Sequence, residues 1–154
     1  MTTIAACLRE RAMCADSMVN TGDTWWPCNK ITEINDCLVG CAGEADQGKK
    51  FLKWFADQTQ RKPKLTDAFC ALVLTRTELH YYCSTLIPET IERGFHAVWS
   101  GGPIALGAML AGKDYCVVEP GRGGGLPAVS AFKVIALVSR RSWLQTPRSF
   151  QRHP

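Results

Sequence analysis

Thr2 and Thr3 follow Met1 directly and open an apolar run, Thr2-Thr3-Ile4-Ala5-Ala6-Cys7-Leu8. Aminopeptidases remove an initiator methionine readily when the next residue is small, so a mature chain beginning at Thr2 is expected. A terminal threonine carries a hydroxyl nucleophile and a free α-amine on one residue, which supplies a nucleophile and a base without a second side chain. An unperturbed α-amine titrates near ~7.7–8.0, so a useful fraction is free base at neutral pH. Taken alone, Thr2 is better read as a solvated terminus.

The segments that would position this residue are short and separated by turn signals. After Arg9-Glu10-Arg11 comes a second apolar run, Ala12-Met13-Cys14-Ala15, ending in Asp16-Ser17. A connecting segment containing Gly22, Asp23 and Pro27 leads to Lys30-Ile31-Thr32-Glu33-Ile34, the turn dipeptide Asn35-Asp36, and Cys37-Leu38-Val39-Gly40-Cys41-Ala42-Gly43. Short strands joined by Gly/Asn/Asp turns are a β signature. The period then lengthens. Ala45, Gly48, Leu52 and Phe55 share one helical face while Lys49, Lys50, Lys53 and Asp57 take others, so an amphipathic helix is expected over Glu44 to Asp57. Gln58 to Lys64 reads as a loop, and Ala68 to Thr75 with Glu78 to Ser84 as a buried hairpin. A second helix, apolar on all sides, is expected from about Gly102 to Ala111, buried between a sheet and a neighbour.

Five landmarks fall in order along the chain: Thr2-Thr3-Ile4-Ala5, Ala15-Asp16-Ser17, Lys30, Leu38-Val39-Gly40-Cys41-Ala42-Gly43, and Trp99-Ser100-Gly101-Gly102-Pro103. In order and spacing they resemble the proteasome β-subunit family, above all its HslV-type peptidases, over roughly residues 2–112. The last landmark looks like that family's Gly-Ser-Gly-Gly-Pro segment with Trp99 in place of the first glycine. The resemblance implies an α+β fold, a four-layer αββα sandwich of two antiparallel sheets flanked by helices, of the amino-terminal-nucleophile (Ntn) hydrolase class.

The resemblance also assigns catalytic roles, each beside a plainer structural one. Thr2 would attack a peptide carbonyl after passing its proton to its own amine. Lys30, against the threonine, would depress the amine pKa and stabilise negative charge developing on the hydroxyl. Asp16 would hold that ammonium in place; the plainer reading of Asp16 and Lys30 is a surface ion pair at strand ends. Gly40, read as lying where a strand gives way to a helix, would offer its N–H to the oxyanion, and is otherwise a turn glycine. Ser100 resembles the family serine that hydrogen-bonds the threonine amine, and also suits a helix N-cap.

Composition is compatible with one globular domain: 154 residues, 46% hydrophobic, five tryptophans and a formal charge of +4. Arg9, Glu10 and Arg11 interrupt the apolar start, so no signal segment is read and a cytoplasmic location is expected. The uncharged stretch Gly94 to Gly112 contains His96, Ser100, Gly101, Gly102, Pro103 and Gly107 and is not read as a membrane span. The eight cysteines form no C-x-x-C pair, and His80, His96 and His153 do not complete metal-ligand sets; reduced, mostly buried thiols and no cofactor or metal are expected.

The carboxyl-terminal quarter departs from the family pattern. Gly121-Arg122-Gly123-Gly124-Gly125 is not a phosphate loop, since no Gly-Lys-Ser/Thr follows. From Pro120 onward there are six Lys/Arg and no Asp/Glu. A shifted reading frame after about Gly112 and a genuine lineage-specific ending both account for this. The expected organisation is a single domain over 1–138 and a basic, disordered tail over 139–154.

The function implied by the resemblance is threonine-type peptide-bond hydrolysis of polypeptide substrates inside a homo-oligomeric ring, with an ATP-dependent unfoldase as a partner of that ring. Two alternatives share the fold, an inactive structural member and a small-amide hydrolase. Nucleic-acid binding is not expected, because the basic tail interleaves only Trp143 and Phe150 with its charges.

Overall fold

The computed structural model describes residues 2–16, 18–21 and 24–110. The expected domain boundary at 138, the glycine-rich stretch and the basic tail lie outside the described residues.

The amino-terminal run forms β1 (Thr3–Cys7), which turns through Arg9 to Arg11 into β2 (Ala12–Ala15). Where the sequence suggests a connecting segment, the chain instead forms two paired strands, β3 (Met18–Thr21) and β4 (Thr24–Pro27). β5 (Ile31–Ile34) and β6 (Cys37–Gly43) follow, joined by Asn35 and Asp36, both at positive φ (51° and 62°). That left-handed pair matches the right-handed twist of a tight hairpin, which is why Asn-Asp suits the position. Helix α1 (Ala45–Ala56) comes next, then β7 (Phe69–Leu74), β8 (Leu79–Tyr82), the two-residue β9 (Glu89–Thr90), β10 (Phe95–Trp99) and helix α2 (Gly102–Leu110). Sequence reading anticipates neither β9 nor β10; β10 lies inside the stretch read for its Ser-Gly-Gly-Pro motif.

Two antiparallel sheets result, one of order β10-β1-β2 and one of order β5-β6-β7-β8-β9. Their facing sides bury one core layer, in which Ile4, Met13 and Val98 meet Ile31, Leu38, Leu72 and Leu79. The other side of the larger sheet packs Val39, Phe69, Ala71 and Val73 against Phe51, Trp54 and Phe55 of α1. The other side of the smaller sheet packs Ala5, Cys14 and Ala97 against Ala105, Leu106 and Met109 of α2. The layer order is therefore α1, larger sheet, smaller sheet, α2. β7 is buried at every position because it is central and covered on both faces, so its sequence Phe-Cys-Ala-Leu-Val-Leu shows no polar alternation.

Both helices correct the sequence reading in detail. The face of α1 on the sheet is Gln47, Gly48, Phe51, Trp54 and Phe55, rotated from the expected one, so Ala45 is exposed. The large aromatics win because each removes more apolar area from water than alanine does. In α2 only Gly102 is buried, while Ile104 and Leu110 are 74% and 65% exposed. Among the described residues, no helix is long and apolar enough to cross a membrane.

Candidate active site

β1 is the central strand of the smaller sheet, so its start is flanked by the ends of both neighbours. The register Ile4↔Ala15 places Asp16 beside Thr3, and Thr3↔Trp99 places Ser100 next to Thr2 on the other side. Lys30 precedes β5, the edge strand of the facing sheet, and reaches across the gap between the sheets. Four points of the chain distant in sequence, Thr2-Thr3, Asp16, Lys30 and Ser100, thus meet where the two sheets bring their ends together.

Asp16 is the hub of this arrangement. One carboxylate oxygen, Oδ1, accepts the Thr3 backbone N–H at 2.5 Å, while the Asp16 N–H donates to the Thr3 carbonyl at 3.2 Å. The other, Oδ2, accepts from the Lys30 ammonium. Lys30 Nζ also donates to Thr2 Oγ1 at 3.1 Å. The two charged side chains are only 6% (Lys30) and 11% (Asp16) exposed, so this is a buried pair rather than a surface ion pair. Burial matters electrostatically, because an ammonium screened from water acts more strongly on a neighbouring hydroxyl. A positive charge on Oγ1 stabilises the oxygen as it gains negative character.

Ser100 Oγ donates to the Thr2 carbonyl oxygen at 3.1 Å. The serine therefore contacts the backbone of Thr2, where the resemblance implies a bond to its amine. It is not the cap of α2, whose first turn is closed by Ala105 N–H bonding to the Gly101 carbonyl at 3.0 Å.

Thr2 lines a cleft of ≈ 450 Å³ together with Cys28, Lys30, Cys41, Gly43 and Gly48, among others. Burial pushes the Cys41 thiol up to about 12, with Cys70 adding to the shift, so this part of the lining carries no charge at neutral pH. The exposed Glu44 and Lys49 bring one charge of each sign to the cleft.

Gly40 is not where the sequence places it. It is the fourth residue of the seven-residue strand β6, buried between the sheets, and the strand-to-helix junction is Gly43. A Cβ on Gly40 would stand 2.7 Å from Ile4 Cγ2 and 2.9 Å from Met13 Sδ, so a glycine is required there by sheet-to-sheet packing. The ladder gives a second reason. Cys41 N–H bonds to the Lys30 carbonyl at 3.3 Å, so Cys41 faces β5, and strand alternation turns Gly40 towards Leu72 of β7. By the same alternation Gly43 faces the β5 side, past the end of that strand, where its N–H points to the Cys28–Lys30 side of the cleft. Glu44 N–H, bonded to the Ala68 carbonyl at 3.3 Å, confirms the alternation. The sequence holds a signal for Gly43: it is the glycine nearest the start of the amphipathic period, and φ +108° there is a conformation that glycine tolerates.

No family model and no curated protein matches the sequence. Solved structures do match the fold. Thiobacillus denitrificans BPH in complex with epoxomicin is similar at 16% identity and a TM-score of 0.55, over 71% of this chain and 78% of that one. Thiobacillus denitrificans BPH by itself is similar at 18% identity and 0.54, over 72% and 78%. HslV from Trypanosoma brucei is similar at 20% identity and 0.55, over 71% and 78%. At these identities the likeness is one of fold, and the fold of this chain is that of the HslV and BPH structures, two antiparallel sheets layered between helices.

Proposed function

We propose that this chain is a threonine-type peptidase whose nucleophile is Thr2, freed as the terminal residue by removal of Met1. The observation that carries the reading is the buried Lys30 ammonium, held by Asp16 and donating to Thr2 Oγ1 at 3.1 Å. An ordinary surface threonine has no need of a buried cation on its hydroxyl. The cost of burying that charge is offset only by a hydrogen-bonded partner, which Asp16 supplies.

In the proposed reaction the Thr2 hydroxyl passes its proton to the Thr2 α-amine and its oxygen bonds to a peptide carbonyl carbon. The resulting oxyanion accepts a hydrogen bond from Gly43 N–H, the role that sequence reading gives to Gly40. On collapse the C–N bond breaks, the ammonium of Thr2 protonates the departing amine, and an ester on Thr2 remains. Water then gives a proton to the amine and adds to the ester, and the peptide acid leaves as Thr2 Oγ regains its proton. Ser100 steadies the Thr2 backbone throughout. The proposal extends to polypeptide substrates, a homo-oligomeric ring and an ATP-dependent unfoldase partner, as the resemblance to HslV-type peptidases implies, and to a cytoplasmic setting; the likeness in fold to HslV is what supports it.

The test uses a peptide epoxyketone, which needs hydroxyl and α-amine together to form its morpholine ring. Intact mass should show loss of Met1 and a single adduct on Thr2, and Thr2→Ala should neither form the adduct nor hydrolyse peptides. Thr2→Ser should keep part of the activity. Peptide turnover by Thr2→Ala at the native rate would sink the reading.

A further inference from the structure

Trp99 closes β10 with φ +70°, a left-handed backbone that a bulky residue rarely adopts. Two glycines follow Ser100, yet neither takes up the positive φ, and both make close approaches. A Cβ on Gly101 would stand 2.2 Å from Thr3 Oγ1, and one on Gly102 3.1 Å from the Ala97 carbonyl oxygen. The chain must reverse between the last ladder pair, Thr3↔Trp99, and the tight passage of Gly101 under Thr3. That leaves Trp99 to make the left-handed turn, at the position where the sequence departs from Gly-Ser-Gly-Gly-Pro.

The residue delivered by this turn is Ser100, and it completes a clamp. Its hydroxyl donates to the Thr2 carbonyl at 3.1 Å, while the N–H of the same peptide unit, that of Thr3, donates to Asp16 Oδ1 at 2.5 Å. One peptide plane is held on both edges, and its orientation decides where Thr2 Oγ1 points relative to Lys30. We infer that Trp99 is a positioning residue: its left-handed backbone, and not its indole, brings the Ser100 hydroxyl to the Thr2 carbonyl and so fixes the Thr2–Thr3 peptide. The inference rests on Thr2 being the nucleophile for its consequence in turnover, and on the geometry alone for the clamp.

The experiment compares Trp99→Gly, Trp99→Val, Ser100→Ala and the double variant Trp99→Val/Ser100→Ala. Hydrogen exchange of the Thr3 amide, followed by NMR, reports the clamp without catalysis; kcat and KM report its effect on the reaction. Ser100→Ala should accelerate Thr3 exchange by about tenfold and lower kcat by a similar factor at constant KM, as expected for one lost hydrogen bond. Trp99→Val, whose β-branched side chain opposes positive φ, should reproduce both effects and add nothing in the Ser100→Ala background. Trp99→Gly should hold Thr3 exchange within about twofold of native, because glycine takes up a positive φ without strain. Exchange as fast in Trp99→Gly as in Trp99→Val would make the indole the agent and overturn the inference. So would native exchange in Trp99→Val, or additive effects in the double variant. Absence of any Thr2-dependent hydrolysis in the native protein would remove the proposed function, and the exchange rates would still decide the clamp.

Discussion

Three glycines along one strand–helix unit should respond to alanine in a fixed order. At Gly43 the new Cβ would lie 1.9 Å from the Ala68 carbonyl oxygen, a backbone atom, and the residue has φ +108°. Neither the clash nor the conformation relaxes cheaply, so Gly43→Ala should cost more than about 3 kcal/mol. At Gly40 the nearest atoms are side-chain ends, Ile4 Cγ2 at 2.7 Å and Met13 Sδ at 2.9 Å, in the layer between the sheets. Met13 is flexible but Ile4 is β-branched, so the overpacking penalty should be about 1–3 kcal/mol. At Gly48 the contact is Cys41 Cβ at 3.3 Å, a few tenths of an ångström too close. There alanine also removes a helix penalty of about 1 kcal/mol, so Gly48→Ala should fall near zero. Urea unfolding with a constant m-value measures the series, and roughly 2–4 °C of melting temperature per kcal/mol provides an independent scale. Gly40→Ala no less stable than native, or a reversed order, would refute the packing argument.

Further expectations concern charge and thiols. Asp16→Asn removes the carboxylate charge beside the buried Lys30 and should destabilise the fold by about 3–5 kcal/mol in urea titration, while Lys30→Ala should lower kcat by on the order of 10²-fold; variants at native stability and rate would show that the pair serves neither the fold nor the reaction. Burial, and then the neighbouring Arg93 guanidinium, hold His96 below its usual value, with Glu89 opposing; Arg93 Nη2 lies 2.6 Å from Nδ1, which must accept. A folded pKa below the unfolded 6.5 means that the stabilisation is complete above pH 6.5 and is lost as pH falls through the folded value, so unfolding free energy should rise as pH is raised towards 6.5. His96→Gln should flatten that rise. Burial raises Cys41 to about 12 and Cys70 to about 11. Iodoacetamide at pH 8 should therefore leave both unmodified in the native protein and alkylate them in denaturant, as read by peptide mass spectrometry.

What the sequence determined by itself was local. Asn35-Asp36 can hardly be anything but a tight turn, Gly48, Leu52 and Phe55 recur with the period of a helix, and a threonine after Met1 brings hydroxyl and α-amine together on one residue. The landmarks Thr2, Asp16, Lys30 and Ser100 were also legible, as a resemblance carried by order and spacing. Register and layer packing were not, because they depend on which strand lies beside which. The uncharged stretch at Phe95 to Leu110 has no period that separates strand from helix, so β10 emerged only from its pairing with β1. The segment from Met18 to Pro27 forms strands because its two halves pair with each other, which its turn-like composition hides. Gly40 and Gly43 look alike in sequence. The tertiary structure separates them, since ladder alternation and the approach of Ile4 and Met13 turn one glycine into the core, while the end of β5 leaves the amide of the other facing the cleft beside Thr2.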